Sequence, residues 1–573
     1  MQIQEQIKIL IKEMLENLEI EVKDIVFEHP EDFSNGDYST NVAMVHAKEL
    51  KINSKELAGK IVEELNKNLP KEISKIEVAG PGFINFYLSR EFFVNSIKNI
   101  LEKGKNWGRN ETLFGKKIIV EYTDPNPFKE FHIGHLMSNT IGESISRIVE
   151  WNGAEIKRAC YQGDVGLHVA KAIWSVVKKE NTEYDWNYLV TGKAYAFGNK
   201  VYETDESKKE EIININKKIY EKSDKEINFR YEKGRQRSLD YFEKMYKKIG
   251  MESRGKDNKA YDFYFFESET GKYGKEIVER NIGTIFEKSD GAVVFHGEKY
   301  DSKLHTRVFI NKGGLPTYEA KELGLAEIKY NIYKYDESIV ITGNEINDYF
   351  KVLLRAMKEI FPDLEKRTKH LPHGMLRLPS GKMSSRTGDV ITATSIIDEV
   401  KSSILKKMKE REMSEVEKDE IGEQVAIGAL KYSILKQSAV KDIIFDLEKS
   451  ISFEGDSGPY LQYTAVRVNS ILNKVKDFNL ENKNEIPAEI TNLEKLLYQF
   501  SEIVEHSYLE LESHHINTYL TELASAFNTF YGNTKILDAE NKFAKYHLDL
   551  VRSFYQTMKN GLWLLGIKTP EKM

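Results

Sequence analysis

Apolar residues near the start of the chain recur every three or four positions, a spacing that predicts amphipathic helices. Ile7 and Ile11 show this spacing first, and a second helix pattern covers residues 54–66. A Gly-Pro-Gly turn then leads into alternating apolar and polar residues over Phe83–Leu88, which predicts a strand. These elements indicate an N-terminal α+β module, which we place at residues 1–92.

A different pattern follows this module. Ile118–Val120 is a short apolar run typical of a buried parallel strand. A helix pattern begins near Gly134, and Ala154–Cys160 is the next predicted strand. The order strand, helix, strand predicts a right-handed βαβ unit and therefore an α/β domain with a parallel sheet.

The remaining chain divides into three stretches. Residues 178–260 are polar, rich in Lys, Glu and Tyr and helical in pattern, which favours a solvated insertion. We place that insertion at about 178–290, inside a domain over 93–405. Strand signals return within 291–390, and 406–573 has a helical pattern almost throughout, which predicts an all-α C-terminal domain.

Composition narrows the class of protein. A chain of 573 residues suggests about three domains, and 40% hydrophobic with 30% charged residues argues against a wholly disordered chain. No apolar stretch reaches the ~18–20 residues of a membrane span, and the first residues lack the signal-peptide pattern. We therefore expect a cytoplasmic protein with no membrane partner.

Charge and cysteine content add two expectations. The net charge of −6 gives no hint of nucleic acid, although a whole-chain count does not exclude a local basic surface. Cys160 is the single cysteine, so an internal disulfide and a Cys-rich zinc site are excluded. We predict no zinc and no resident metal site.

The first motif that suggests chemistry is His132-Ile-Gly134-His135, at the start of the βαβ helix. A helix N-terminus offers free N–H groups and a positive dipole end, which suit phosphate. Gly134 permits close approach of a ligand, and the histidines could donate to phosphate oxygens as charge builds in a transition state. Taken alone, the motif could also be chance in a chain with 13 histidines.

The second motif is Lys382-Met383-Ser384 in a loop of small residues. A lysine in such a loop is a mobile cation that could clamp a polyphosphate, although an ordinary exposed basic loop is the alternative. The two motifs are about 250 residues apart, and the pair in this order is far more specific than either one.

Together the motifs resemble those of class I aminoacyl-tRNA synthetases, which bind ATP at the switch point of a Rossmann-like sheet. Within that class the chain resembles the arginyl-tRNA synthetase family over nearly its whole length, least in 178–290. The stretches that carry this resemblance are EYTDPNPFKEFHIGHLMSNTIGESI, QGDVGLH, TRVFINKGGLPTYEAKELG and SFEGDSGPYLQYTAVRVNSIL. The family layout implies a tRNA D-loop module, a Rossmann-like catalytic domain and a helical anticodon-binding domain.

The resemblance also implies an activity. L-Arginine would be activated by ATP, with Mg2+, to arginyl-adenylate and pyrophosphate, and then transferred to the 3′-terminal ribose of tRNA(Arg). Activation is expected to require tRNA, and the protein is expected to be a monomer. A guanidinium pocket should reject lysine without an editing domain, because buried carboxylates would otherwise be left badly paired.

Residue roles carry over by position. For catalysis the resemblance implies His132, His135, Lys129 and Lys382. For ATP it implies His132, Gly134, His135, Gly163, Asp164, Lys382, Met383 and Ser384. For arginine it implies Glu121, Asn126, His132, Tyr318 and Glu322, a set that suits a planar five-donor cation. Weaker tRNA candidates are Tyr460, Tyr463 and Arg467, for which helix packing is the alternative.

Three positions depart from the family pattern. Glu322 stands where Asp is usual, Ile346 where many relatives have Gln, and Ser385 replaces the usual second Lys of the loop. We expect Lys129 to compensate for that Lys in the phosphate clamp. Two alternatives stay open: another class I synthetase, and an inactive synthetase-like tRNA-binding protein.

Overall fold

The structure is a computed structural model that describes residues 3–17, 20, 25–178, 192–254, 257–377, 391–475, 485–538 and 540–573. Its strands are β1 (Tyr38–Thr40), β2 (Ile73–Ala79), β3 (Phe83–Leu88), β4 (Lys117–Glu121), β5 (Glu155–Gln162), β6 (Phe263–Phe266), β7 (Glu287–Ser289), β8 (Ala292–His296), β9 (Thr306–Ile310), β10 (Glu337–Gly343), β11 (Thr368–His373), β12 (Leu376–Arg377) and β13 (Ile443–Ile444). Its helices as far as the central sheet's last strand are α1 (Ile3–Asn17), α2 (Val42–Leu50), α3 (Ser54–Leu65), α4 (Arg90–Lys103), α5 (Ile133–Trp151), α6 (Leu167–Lys178), α7 (Lys193–Thr204), α8 (Glu206–Glu221), α9 (Lys225–Lys248), α10 (Glu267–Arg280), α11 (Tyr318–Ile332), α12 (Asn347–Ile360) and α13 (Pro362–Arg367). Those that follow are α14 (Ala393–Lys407), α15 (Glu415–Leu435), α16 (Leu447–Ser450), α17 (Gly458–Lys474), α18 (Asn492–Leu497), α19 (Phe500–Glu510), α20 (His514–Asn533) and α21 (Ala544–Leu564).

The N-terminal residues form the predicted α+β module. β1, β3 and β2 pair in that order as an antiparallel sheet. Ile7 and Ile11 of α1 are buried in the same hydrophobic core as Ile84 and Phe86 of β3. The apolar residues that recur every three or four positions in α1 and those that alternate in β3 therefore face the same core, as the sequence predicts.

A parallel sheet forms the centre of the following region. Within the described residues its strand order is β11, β10, β4, β5, β6, and every neighbouring pair is parallel. The chain runs from β4 outward to β6 and then returns to the other side of β4 at β10. The order reverses between β4 and β10, where the carboxyl ends of open α/β sheets bind their ligands. The predicted α/β class is confirmed.

The predicted insertion at 178–290 is only partly helical. α7, α8 and α9 follow one another between Lys193 and Lys248, but β6 then joins the edge of the central sheet beside β5. Because β6 has four residues between polar stretches, its pattern is too short to reveal this pairing.

Residues 406–573 are helical apart from β13, which pairs with β12, among the residues described there. The chain separates into two compact units: Met1–Trp107, Arg467–Ser501 and Glu522–Asn560 form one, and Gly108–Val466, Glu502–Thr521 and Gly561–Met573 form the other. The domain boundaries at 1–92, 93–405 and 406–573 stay predictions. None of the described helices combines the length and apolar character of a membrane span.

Candidate active site

His132 and His135 form a capping box at the N-terminus of α5, in which each imidazole accepts a backbone N–H of the other residue. His132 Nδ1 accepts hydrogen bonds from the backbone N–H groups of Gly134 at 3.1 Å and His135 at 3.4 Å. His135 Nδ1 in turn accepts from the backbone N–H of His132 at 3.2 Å. Since each Nδ1 is an acceptor, each neutral ring carries its proton on Nε2. Two Nε2–H donors are thereby held at a helix N-terminus.

Both rings are neutral near pH 7. They stack with centroids 3.6 Å apart, and burial lowers the pKa of His132 to about 4. Burial also holds the pKa of His135 well below its usual range, and the His132 ring lowers it further. Neither ring therefore carries a positive charge of its own at this pH. They can donate hydrogen bonds to phosphate oxygens, while cationic charge has to come from other groups.

Gly134 makes this arrangement possible. A Cβ atom at Gly134 would lie 3.0 Å from Cε1 and 3.1 Å from Nδ1 of His132. A Cβ there would make the imidazole that caps the helix shift by a few tenths of an ångström. The glycine therefore favours the observed position of the His132 ring.

The second motif lies outside the described residues, because 378–390 contains Lys382, Met383, Ser384 and Ser385. The residues that follow it are described. Ile391 O accepts from the backbone N–H of Ile133 at 3.2 Å, and the N–H of Ala393 donates to Phe131 O at 2.9 Å. The described segment that follows the second motif therefore pairs with the backbone at the first motif.

Acidic side chains gather at the carboxyl end of β4. Glu121 ends this strand, is 1% exposed and accepts from Lys329 Nζ at 2.9 Å. Asp124 Oδ1 accepts from the backbone N–H of Tyr161 at 2.7 Å. Removal from water raises the pKa of Asp124 and of Glu322 well above their usual ranges, and the Glu121 charge raises both further. The positive charge of Lys329, which also donates to Glu121, opposes both increases.

The loop after β4 has an unusual backbone. Thr123, Asp124 and Phe128 all have positive φ, at 78°, 43° and 68°. Side chains from other elements hold two of these residues, because Ser138 Oγ accepts from the N–H of Thr123 at 2.9 Å and Ser238 Oγ from that of Phe128 at 3.0 Å. Positive φ at a β-branched residue is costly, and such strain clusters at functional sites.

Tyr318 and Glu322 lie on the first turns of α11. The Tyr318 side chain is 59% exposed, and its ring centroid lies 5.2 Å from Lys321 Nζ. Lys321 donates to the buried carboxylate of Glu267 at the start of α10. Lys321 is thus already paired with an acid, whereas the Glu322 carboxyl belongs to the cluster around Glu121.

Asn126 and Gly163 are in close contact. A Cβ at Gly163 would lie 2.2 Å from Asn126 Oδ1, so only glycine leaves room for this amide. Lys129 lies nearby in sequence, with Nζ 4.7 Å from the Tyr195 ring centroid. Burial lowers the pKa of Lys129, and Lys171 lowers it further.

Asp164 is fully buried and has four hydrogen-bond donors. They are Ser268 N at 2.9 Å, Ser268 Oγ at 2.7 Å, Arg235 Nε at 2.8 Å and Tyr231 OH at 3.1 Å. The carboxylate therefore joins α9 to the start of α10. The predicted contact of Asp164 with ATP stays a prediction.

The tRNA candidates lie on α17. The Tyr463 ring makes an edge contact with Phe453 at 6.1 Å, and the exposed Arg467 places its guanidinium 4.4 Å from the Tyr531 ring centroid. Tyr460 is half-buried near the start of the helix. A role for these side chains in tRNA binding stays a prediction.

Sequence reasoning missed Asp124, Lys329 and the Lys321–Glu267 pair. Asp124 stands in the same loop as Asn126, so its position in the chain could have predicted that it lies near the candidate site. Lys329 follows Glu322 by seven positions, two helical turns along one face of α11. The Lys321–Glu267 pair joins α11 to α10, and local pattern does not show such pairing.

Comparisons with known proteins agree along the whole chain. The family model "tRNA synthetases class I (R), catalytic domain" matches residues 96–447. "Arginyl tRNA synthetase N terminal domain" matches 2–88, and "DALR anticodon binding domain" matches 461–573.

Individual relatives cover nearly all of the sequence. The arginine–tRNA ligase of Borrelia hermsii is 30% identical over 98% of this chain and 97% of its own. That of Clostridium kluyveri is 30% identical over 99% of each. Among solved structures, Thermus thermophilus arginyl-tRNA synthetase has a TM-score of 0.80 at 22% identity and covers 99% of this chain and 100% of its own. This last similarity confirms the predicted class I synthetase fold.

Proposed function

The chain belongs to the arginyl-tRNA synthetase family, and from this premise we propose that it ligates L-arginine to tRNA(Arg) using ATP. In the first step the arginine carboxylate attacks the α-phosphate of ATP, supplied as its Mg2+ complex, and pyrophosphate leaves. In the second step a hydroxyl of the terminal tRNA ribose attacks the adenylate carbonyl and AMP leaves.

One observation carries the choice of substrate: the acidic cluster of Glu121, Asp124 and Glu322 at the carboxyl end of β4. Burial raises the pKa values of Asp124 and Glu322, and the negative charge of Glu121 raises both further. A guanidinium is always charged and presents five donors in one plane, so it suits such a cluster. We assign the cluster to the arginine side chain, with Tyr318 beside it and Asn126 near the α-amino group.

The phosphate chemistry is assigned to the N-terminus of α5. The Nε2–H groups of the neutral His132 and His135 and the helix end favour the charge that develops on the phosphate oxygens. Lys129 and Lys382 supply the cationic part of the clamp in this proposal. No residue acts as a covalent nucleophile, so positioning and electrostatics provide the rate enhancement.

We assign functions to the regions outside the catalytic centre from the domain layout of the family. We assign D-loop recognition to the N-terminal module and anticodon recognition to the C-terminal helices, with Tyr460, Tyr463 and Arg467 as contacts to phosphates or unstacked bases. We further propose a cytoplasmic monomer.

The test is ATP–pyrophosphate exchange with each amino acid, with and without tRNA(Arg). We expect exchange only when arginine and tRNA(Arg) are both present. Absence of exchange with arginine under every condition would contradict the proposal. Tight tRNA(Arg) binding without any exchange would instead support the inactive tRNA-binding alternative, and exchange with another amino acid would support another class I synthetase.

A further inference from the structure

A sharp corner between α19 and α20 brings several histidines together. α19 ends at Glu510, and Leu511 then has a φ of 53°. The N–H of Leu511 donates to Tyr508 O at 3.0 Å, and that of Glu512 donates to Ser507 O at 3.0 Å. A left-handed leucine costs roughly 1–2 kcal/mol, so the surrounding contacts must hold this reversal in place.

The side chain of Glu512 provides such contacts. Its carboxylate accepts from Ser438 Oγ at 2.5 Å and from the backbone N–H of Ala439 at 3.0 Å. His514 Nδ1 lies 3.2 Å from the same carboxylate. The start of α20 is thereby held against the last turn of α19.

Three potential metal ligands face one another at this corner. His506 and Glu510 are four positions apart on one face of α19, and their Nε2 and Oε1 atoms are 3.6 Å apart. His515 Nε2 lies 2.8 Å from Glu510 Oε2. One donor atom from each of the three residues lies within 4.8 Å of the others.

We propose that His506, Glu510 and His515 bind a divalent transition-metal ion, and that Zn2+ fits best. Zinc takes imidazole nitrogen and carboxylate oxygen at about 2.0–2.2 Å in a tetrahedron, so small side-chain rotations from the present distances would close the site. Three protein ligands leave the fourth position to water. The ion joins the last turn of α19 to the first turn of α20.

The donor set also determines selectivity. Imidazole nitrogen suits Zn2+, Cu2+ and Ni2+, whereas Mg2+ prefers an octahedron of oxygen ligands. The Mg2+ that accompanies ATP should therefore compete poorly. None of the three residues belongs to the proposed catalytic machinery, and no cysteine is needed, so the cysteine count did not exclude this site.

The direct test is a calorimetric titration of Zn2+ into full-length protein that carries no tag and has been treated with EDTA, in a buffer with excess Mg2+. It measures the affinity and the number of Zn2+ sites. We expect one tight site in the wild type and at least about tenfold weaker binding in His506→Ala and in His515→Ala. The matched control is Glu505→Gln, which removes a carboxylate next to His506 outside the triad and should leave affinity unchanged.

Two further readouts separate this site from adventitious binding. Co2+ should give tetrahedral visible absorption in the wild type and lose it in His515→Ala. Zn2+ should raise the melting temperature of the wild type and not that of His515→Ala, because an ion that binds only the folded state stabilises it. The proposal is overturned if His515→Ala binds Zn2+ as tightly as the wild type, or if Glu505→Gln weakens binding equally.

Discussion

Glu322 illustrates how the surroundings of a residue decide its chemistry. Its carboxyl group lies with Glu121 and Asp124, and its pKa is raised by removal from water and then by the Glu121 charge. A bound guanidinium would favour the ionised form, so arginine binding should release a proton from this cluster. The apparent affinity for arginine should therefore increase with pH up to the raised pKa of Glu322 in the ligand-free protein.

We expect Glu322→Gln to weaken arginine binding by about 10- to 100-fold, since a hydrogen bond to a charged group contributes about 1.5–3 kcal/mol. Calorimetry in buffers of different ionisation enthalpy would measure affinity and proton release together. Glu327→Gln, on the same helix and outside the cluster, is the control. Unchanged affinity in Glu322→Gln would show that this carboxyl does not face arginine.

At the scale of elements, the start of α5 combines helix capping with the proposed phosphate site. Ordinary helices use Ser, Thr, Asp or Asn as caps, whereas here two imidazoles accept the backbone N–H groups. The bonds at Nδ1 leave both Nε2–H groups facing away from the cap. Backbone hydrogen bonds hold Ile391 and Ala393, which follow the second motif in the chain, beside the same helix start.

Gly134→Ala tests this element. The new Cβ would lie 3.0 Å from the His132 ring and would shift it by a few tenths of an ångström, whereas a displacement of 1 Å at a reacting centre can cost about 100-fold in rate. We expect kcat for arginine activation to fall by about two- to tenfold. The melting temperature should hardly change, because the close contact opposes the preference of about 1 kcal/mol for alanine over glycine in helices.

Gly532→Ala, a helical glycine with open space around it, serves as the control and should retain full activity. If Gly134→Ala matched the wild type in kcat, the position of the His132 ring would not limit the reaction.

At the scale of the whole molecule, buried charges make stability depend on pH. Lys431 is 1% exposed and donates to Gly566 O at 2.7 Å. Burial lowers its pKa to about 7, and Arg147 and Lys568 contribute to the decrease while Glu143 opposes it. Between that value and the ordinary 10.5, the unfolded chain binds more protons at this lysine than the native protein does. The contribution of Lys431 to the free energy of unfolding therefore rises with pH between about 7 and 10.5.

Lys431→Met should remove this contribution, which amounts to at most about 1.4 kcal/mol per pH unit. We expect the melting temperature of the wild type minus that of the variant to be larger at pH 9 than at pH 7. Scanning calorimetry of both proteins at pH 7, 8 and 9 would measure this difference. Lys436→Met, near the end of the same helix, should follow the wild type. Parallel pH curves for wild type and Lys431→Met would contradict the assignment.

The sequence by itself determined the features that depend on local order: the helix period of α1, the alternation of β3, the βαβ unit and the two motifs. Periodicity and motif spacing are properties of neighbouring residues, so the chain displays them directly. Only the tertiary structure decided that β6 joins the central sheet, that Lys329 pairs with Glu121, and that Asp164 already has four donors. It also decided the charge of His132 and His135. Burial lowers their pKa values, and burial depends on which distant residues exclude water from a side chain.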